Sequence, residues 1–150
     1  MAKLELYSKR DGIIQNQGGL NWGFSKGHVC TNDAYVAITN SFIRNNPNFF
    51  PPTGSTIHVI WDDQTTMICS VEGTQKVDGK LYPKQLTSAN NKSIFGEYIR
   101  KRMGIPLGTK IKMSDLDAYG RRDIEISNMG NGVYKIDFSV WLDFKYIIIW

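Results

Sequence analysis

Strict alternation between residues 122 and 139 restricts the folds open to this chain more than any other feature. Ile124 and Ile126 alternate with Asp123 and Glu125, and Tyr134, Ile136 and Phe138 alternate with Lys135 and Asp137. Successive side chains of a strand point to opposite faces, so this spacing buries one face of a sheet and leaves the other in water. The link between the two runs, Asn128-Met-Gly-Asn-Gly132, has the glycines and asparagines of a tight connection. A half-buried hairpin is therefore expected.

The same reading extends upstream. Residues 4–7, 35–38, 56–61 and 67–71 are short runs rich in β-branched or aromatic side chains, each bounded by Gly, Pro, Asn or Asp. The polar link Asp62-Asp-Gln-Thr65 makes a second hairpin of the last two. Two helices interrupt the strands. Over residues 93–103, Ile94, Phe95, Tyr98 and Ile99 form one apolar stripe, Ser93 is placed to cap the start, and Gly104 with Pro106 closes the end. Ser114-Asp-Leu-Asp117 has the form of a capping box with Asp in place of Glu, heading a short helix that stops at Gly120. A further short turn is expected over residues 40–46, ended by Phe49-Phe-Pro-Pro52. The sum is a mainly β domain, a small barrel or sandwich, whose loops carry function.

Its 150 residues suit one domain, taken as 1–150, with room for a core that needs no staples. Cys30 and Cys69 stand far apart with no Cys or His partner at metal-ligand spacing, so neither a metal site nor a disulfide framework is expected, and a reduced, cytoplasmic setting is. The start has no signal-peptide run and no stretch reaches membrane-spanning length. The apolar end, residues 146–150, is expected to form a last strand, with a docking edge as the alternative.

Lys and Arg outnumber Asp and Glu by 18 to 14, a modest lean toward an anionic partner. Its distribution says more. No acid occurs between Gly79 and Gly96, and from Gly12 to Trp61 the only one is Asp33. Both stretches mix lysines with side-chain amides. Lysine neutralises phosphate, and Asn or Gln can grip a base edge with two hydrogen bonds, most naturally that of adenine. Individual residues stay open between two roles: Trp22 is a packing anchor or a base contact, and Asn90 and Asn91 are helix-capping residues or base readers. The Arg100-Lys-Arg102 and Arg121-Arg122 clusters read as solvated faces. No arginine lies in either polar loop, so Lys, His or a neighbouring arginine would have to take that place at guanine. There is no Ser-His-Asp arrangement, no Gly-rich phosphate cradle and no paired acids for an enzyme, and no cofactor is expected.

Five segments in order carry a family resemblance: Gly19-Leu-Asn-Trp-Gly23, Asn32-Asp-Ala-Tyr-Val-Ala-Ile38, Phe49-Phe-Pro-Pro52, Asn90-Asn-Lys-Ser-Ile-Phe-Gly-Glu-Tyr-Ile-Arg100, and Leu116 with Tyr119-Gly-Arg-Arg-Asp-Ile-Glu125. Together they resemble the B3-like DNA-recognition domain of type II restriction endonucleases, most closely the C-terminal domain of NgoFVII-type enzymes, whose catalytic half is a separate phospholipase D-like nuclease. The resemblance implies a seven-stranded open β-barrel, the B3-like pseudobarrel, with two short flanking α-helices. It further implies sequence-specific recognition of double-stranded DNA in the major groove by two projections, the N-arm near residues 17–32 and the C-arm near residues 76–92.

Carried over by position, the N-arm candidates are Asn21, Trp22, Ser25, Lys26, His28 and Asn32. Those of the C-arm are Lys80, Lys84, Gln85, Ser88, Asn90, Asn91 and Lys92, with Arg121 and Arg122 flanking phosphates. The nuclease's His-x-Lys pattern with a downstream Asp does not occur, so cleavage is expected to reside in another domain or subunit. The domain is expected to bind as a monomer in a bacterial cytoplasm. Two other classes compete: a single-strand or RNA-binding β-barrel, which needs aromatics across an open sheet face, and a carbohydrate-binding β module using Trp22 and the amides.

Overall fold

The computed structural model of the chain describes residues 1–140. The expectation for the apolar end at residues 146–150 lies outside the described residues. Seven strands form one sheet in the order β1-β8-β9-β3-β4-β7-β2. They are β1 (Ala2–Glu5), β2 (Val36–Ala37), β3 (Thr56–Trp61), β4 (Thr66–Glu72), β7 (Gln85–Ser88), β8 (Asp123–Asn128) and β9 (Val133–Asp137). All neighbours run antiparallel except β3 and β9, which are parallel with Val59 opposite Tyr134. The edge strands β1 and β2 approach each other without a hydrogen-bonded ladder, so the sheet curls into an open barrel. A small separate ribbon, β5 (Gln75–Val77) and β6 (Lys80–Tyr82), is inserted between β4 and β7.

Alternation fills the barrel. Ile57, Val59 and Trp61 of β3, Cys69 and Val71 of β4, Leu86 of β7, Ile124 and Ile126 of β8 and Ile136 of β9 are all buried. Three helices flank it: α1 (Asn40–Asn45), α2 (Ser93–Met103) and α3 (Met113–Tyr119). Thr39 caps α1, its Oγ1 accepting the Phe42 N–H at 3.1 Å. Helix α2 covers the expected residues and sends Phe95 and Ile99 into the core, while Ile94 stays exposed.

Several expectations are corrected. The first strand lies two residues earlier, at Ala2–Glu5, because Leu4 pairs with Ile124 and the chain then turns through a bridge between Ser8 and Ile13. Helix α3 starts at Met113, not after Ser114, because the Asp115 carboxylate accepts the Lys112 N–H at 2.8 Å. Asp117, expected to close the cap, instead holds Arg122. The largest miss is β7, inside a segment read as loop. It forms an interior strand between β4 and β2 although it supplies one large apolar side chain, Leu86.

Register fixes which side chains leave the barrel on this half of the sheet. Val71 and Leu86 are opposite and buried inward, so Ser70 and Glu72 of β4 and Gln85 and Thr87 of β7 share the outer face. Ser70 and Thr87 are buried on this face, and Trp22 of the first polar segment meets Lys92 of the second beside Glu72.

Candidate nucleic-acid interface

The N-arm begins as a kinked 3₁₀ stretch, Gly19–Phe24, and is braced from inside rather than left free. The buried Asn21 amide donates to the carbonyls of Gln15 (3.0 Å) and Ile111 (2.9 Å) and accepts the Ile111 N–H at 2.8 Å. Asn32, in a left-handed conformation with φ 71, accepts the Gly108 N–H at 2.6 Å. Asp33 accepts the Cys30 N–H and the Ser93 hydroxyl, both at 2.9 Å. Thus the only acid between Gly12 and Trp61 is buried and bonded rather than presented to an anion.

Arg100 completes the brace. The sequence suggested a solvated side chain, but it is fully buried, donating to the carbonyls of Thr109 (3.0 Å), Gly96 (3.2 Å) and Leu20 (3.2 Å). Burial pulls its pKa below the ordinary arginine value. Of that cluster only Lys101 is exposed, since Arg102 is held by Asp62, Tyr98 and the Phe138 carbonyl.

These contacts reassign three of the candidate site residues. Asn21, Asn32 and Ser88 are buried, with the Asn21 amide, the Asn32 Oδ1 and the Ser88 hydroxyl engaged in hydrogen bonds. Ser88 accepts the Phe95 N–H at 3.0 Å and donates to the Asn91 carbonyl at 2.6 Å, closing the turn into α2. These groups brace the arms from within. Arg121 is also committed elsewhere: it reaches Asp123 (3.0 Å), Glu125 (3.3 Å) and Asp137 (3.4 Å). Arg122 is exposed but forked onto Asp117 at 2.6 and 2.9 Å. Each expected phosphate contact at this pair meets a guanidinium already neutralised.

The remaining candidates are surface groups of two kinds. Lys26, His28, Lys80, Lys84, Asn90 and Asn91 are exposed, and Trp22, Ser25, Gln85 and Lys92 are half-buried. Asn91 carries the capping role considered for it, its Oδ1 accepting the Ser93 N–H at 3.1 Å. The segment 76–92 is not one projection. The β5–β6 ribbon stands at the Gln85 end of β7, where Gln75 donates to the carbonyls of Ile38 (2.6 Å) and Pro83 (2.9 Å). Residues 89–92 stand at the Ser88 end, against the N-arm.

Trp22 and Lys92 join the two segments. The Lys92 ammonium lies 5.0 Å from the Trp22 ring centroid, within cation–π range, and Trp22 meets Tyr35 edge-on at 5.2 Å. The same ammonium lies 3.0 Å from Glu72. Burial alone would raise the Glu72 carboxyl, but hydrogen bonds from Ser70 and Lys92 and the lysine's charge hold it below its usual value. Neither Glu72, which falls outside both acid-free stretches, nor Lys110, which stands 5.3 Å from the Phe24 ring centroid of the N-arm, is among the candidates expected from the sequence. The run Lys110-Ile-Lys112 was the visible signal for the latter.

Among the described residues no group of His, Cys, Asp and Glu is arranged to hold a metal ion, and no helix is long and apolar enough to cross a membrane. The model of one protein family, the NgoFVII C-terminal B3-like DNA-binding domain, matches residues 2–130. The chain belongs to this family. No curated protein matches the sequence. The B3-like match stops just before β9, which the barrel needs to join β8 to β3. The family is a B3-like DNA-binding domain, in line with the resemblance carried by the five sequence segments.

Proposed function

We propose that this B3-like domain recognises double-stranded DNA sequence-specifically in the major groove, using the segments folded over the outer face of β4, β7 and β2 together with Glu72 and Gln85 at its edge. The observation that carries the reading is the contact between Trp22 and Lys92, which joins the N-arm to residues 89–92 beside that face. Lys26, Lys84 and Lys110 supply phosphate contacts around it, and Gln85, Asn90 and His28 supply groups able to meet base edges. Internal bracing by Asn21, Asn32 and Arg100 means that little ordering remains to be done on binding.

The domain acts by binding alone, as a monomer comprising residues 1–150, and cleavage belongs to a nuclease in another domain or subunit. The competing classes fit less well. A single-strand reader stacks bases on open aromatic faces, whereas Trp22 packs on Tyr35 and Lys92 lies over its ring. The same cover spoils it as a sugar platform.

The test is binding to a randomised duplex library at two salt concentrations. Expected is enrichment of one short motif, preference for duplex over single strands, and weakening with salt. Binding without an enriched motif, or preference for single strands, defeats this function, and salt-insensitive binding favours the carbohydrate class.

A further inference from the structure

We propose that Glu72 and Lys92 act as one unit that reads a single G·C base pair, Lys92 at the guanine edge and Glu72 at the cytosine amine. The inference rests on the DNA-binding reading above and adds a specificity to it.

An acid is out of place on this surface. Asp33 is buried, yet Glu72 is presented at the outer face with its side chain 29% exposed beside a Lys92 side chain 30% exposed. If Lys92 served only to neutralise phosphate, a carboxylate 3.0 Å away would cancel the charge it supplies. A base edge makes the opposite demand. It carries no net charge and asks for donors and acceptors in fixed places.

Both members are held in place. Glu72 accepts the Ser70 hydroxyl at 2.5 Å on one oxygen and faces Lys92 with the other. The Lys92 ammonium also lies 5.0 Å from the Trp22 ring centroid, a second contact that holds it. The protein therefore offers an ammonium donor and a carboxylate acceptor side by side, 3.0 Å apart. In a G·C pair, guanine O6 and cytosine N4 share a Watson–Crick hydrogen bond, so acceptor and donor stand in the groove at about the same spacing, ~2.9 Å. Lys92 meets O6 with N7 beside it, and Glu72 accepts from N4.

An A·T pair also presents one donor and one acceptor, but fits worse either way. Lysine at thymine O4 meets the neighbouring C5-methyl group and finds no second acceptor, and glutamate at adenine N6 leaves N7 without a donor. Being held below its usual pKa keeps Glu72 an acceptor at neutral pH.

The experiment compares the intact chain with Glu72→Gln and Lys92→Gln in library enrichment, followed by titration of single duplexes. The unmodified chain is expected to enrich a motif containing a G·C column that both variants relax, with roughly 5- to 150-fold lost between G·C and A·T there and the other columns kept. Glu72→Gln also frees Lys92 for phosphate, so the slope of log K against log salt steepens by about 0.9, a change that loss of structure would not produce. Replacing guanine in that column by inosine, which keeps O6, N7 and the partner N4, leaves binding unchanged. If both variants keep every column, or all columns fade together, or inosine abolishes binding, the pair does not read this base pair. If the unmodified chain enriches no motif at all, the DNA-recognition reading itself fails.

Discussion

Arg100, with no exposed surface, donates to the Leu20 carbonyl at 3.2 Å across 80 residues of sequence. Its other acceptors are also backbone carbonyls, on Gly96 and Thr109, so one planar guanidinium ties the N-arm, helix α2 and the approach to α3 together. Arg100→Ala would remove the guanidinium's hydrogen bonds to the Leu20, Gly96 and Thr109 carbonyls and open a cavity in the junction, and is expected to cost about 3–5 kcal/mol in urea unfolding. Arg100→Lys should recover little of this, since an ammonium lacks the fork that spans three acceptors.

Gly96 tests the same junction from the other side. Alanine in the middle of a helix normally gains about 1 kcal/mol over glycine. Here an added Cβ would collide with the Asn32 carbonyl oxygen, a backbone atom held in place by the N-arm. The expected outcome of Gly96→Ala is a loss of about 3 kcal/mol or more, read as a lowered thermal midpoint.

Free and paired charges should respond differently to truncation. Lys26→Ala and Lys84→Ala are expected to weaken DNA binding alike across sequences, and each to reduce the steepness of the salt dependence by about 0.9. Arg121, its side chain 11% exposed and surrounded by Asp123, Glu125 and Asp137, belongs to the fold instead. Arg121→Ala should leave the salt slope unchanged and lower the unfolding midpoint. Equal salt-slope losses in all three variants would contradict this division.

The two cysteines provide a simple probe of the fold. Cys30 is exposed on the N-arm, while Cys69 is buried in β4, where desolvation pushes its thiol up to about 12. One equivalent of a thiol reagent is expected to react with the native protein at pH 8, at Cys30, and a second only after denaturation. Prompt reaction of both would mean that β4 is open.

What the sequence disclosed depended on how far each element's stability is local. Strand β3 and the hairpin of β8 and β9 advertise themselves, because alternation and turn chemistry lie within the segments. Helix α2 was equally legible from its stripe and from the Gly104 stop. Strand β7 was hidden because its place in the sheet comes from β4 and β2 on either side, not from its own composition. At the interface, composition located the polar segments but not their exposure. Asn21 and Asn91 look alike as letters, yet the first is bonded twice to Ile111, 90 residues away, a partner no local pattern reveals. Glu72 was missed for a related reason: it reaches Lys92 across the sheet, a distance that no local pattern records.

The parallel pairing of β3 with β9 governs when this barrel can form as well as what it looks like. During synthesis β1 waits for β8 and β3 waits for β9, so β1 has no partner until Asn128 has emerged and β3 keeps an open edge until Asp137 has. Strand partners this distant make for slow folding, and a growing chain must shelter those edges meanwhile. A fragment ending at residue 130, where the family match ends, would lack the strand that closes the gap and is a poor unit for expression.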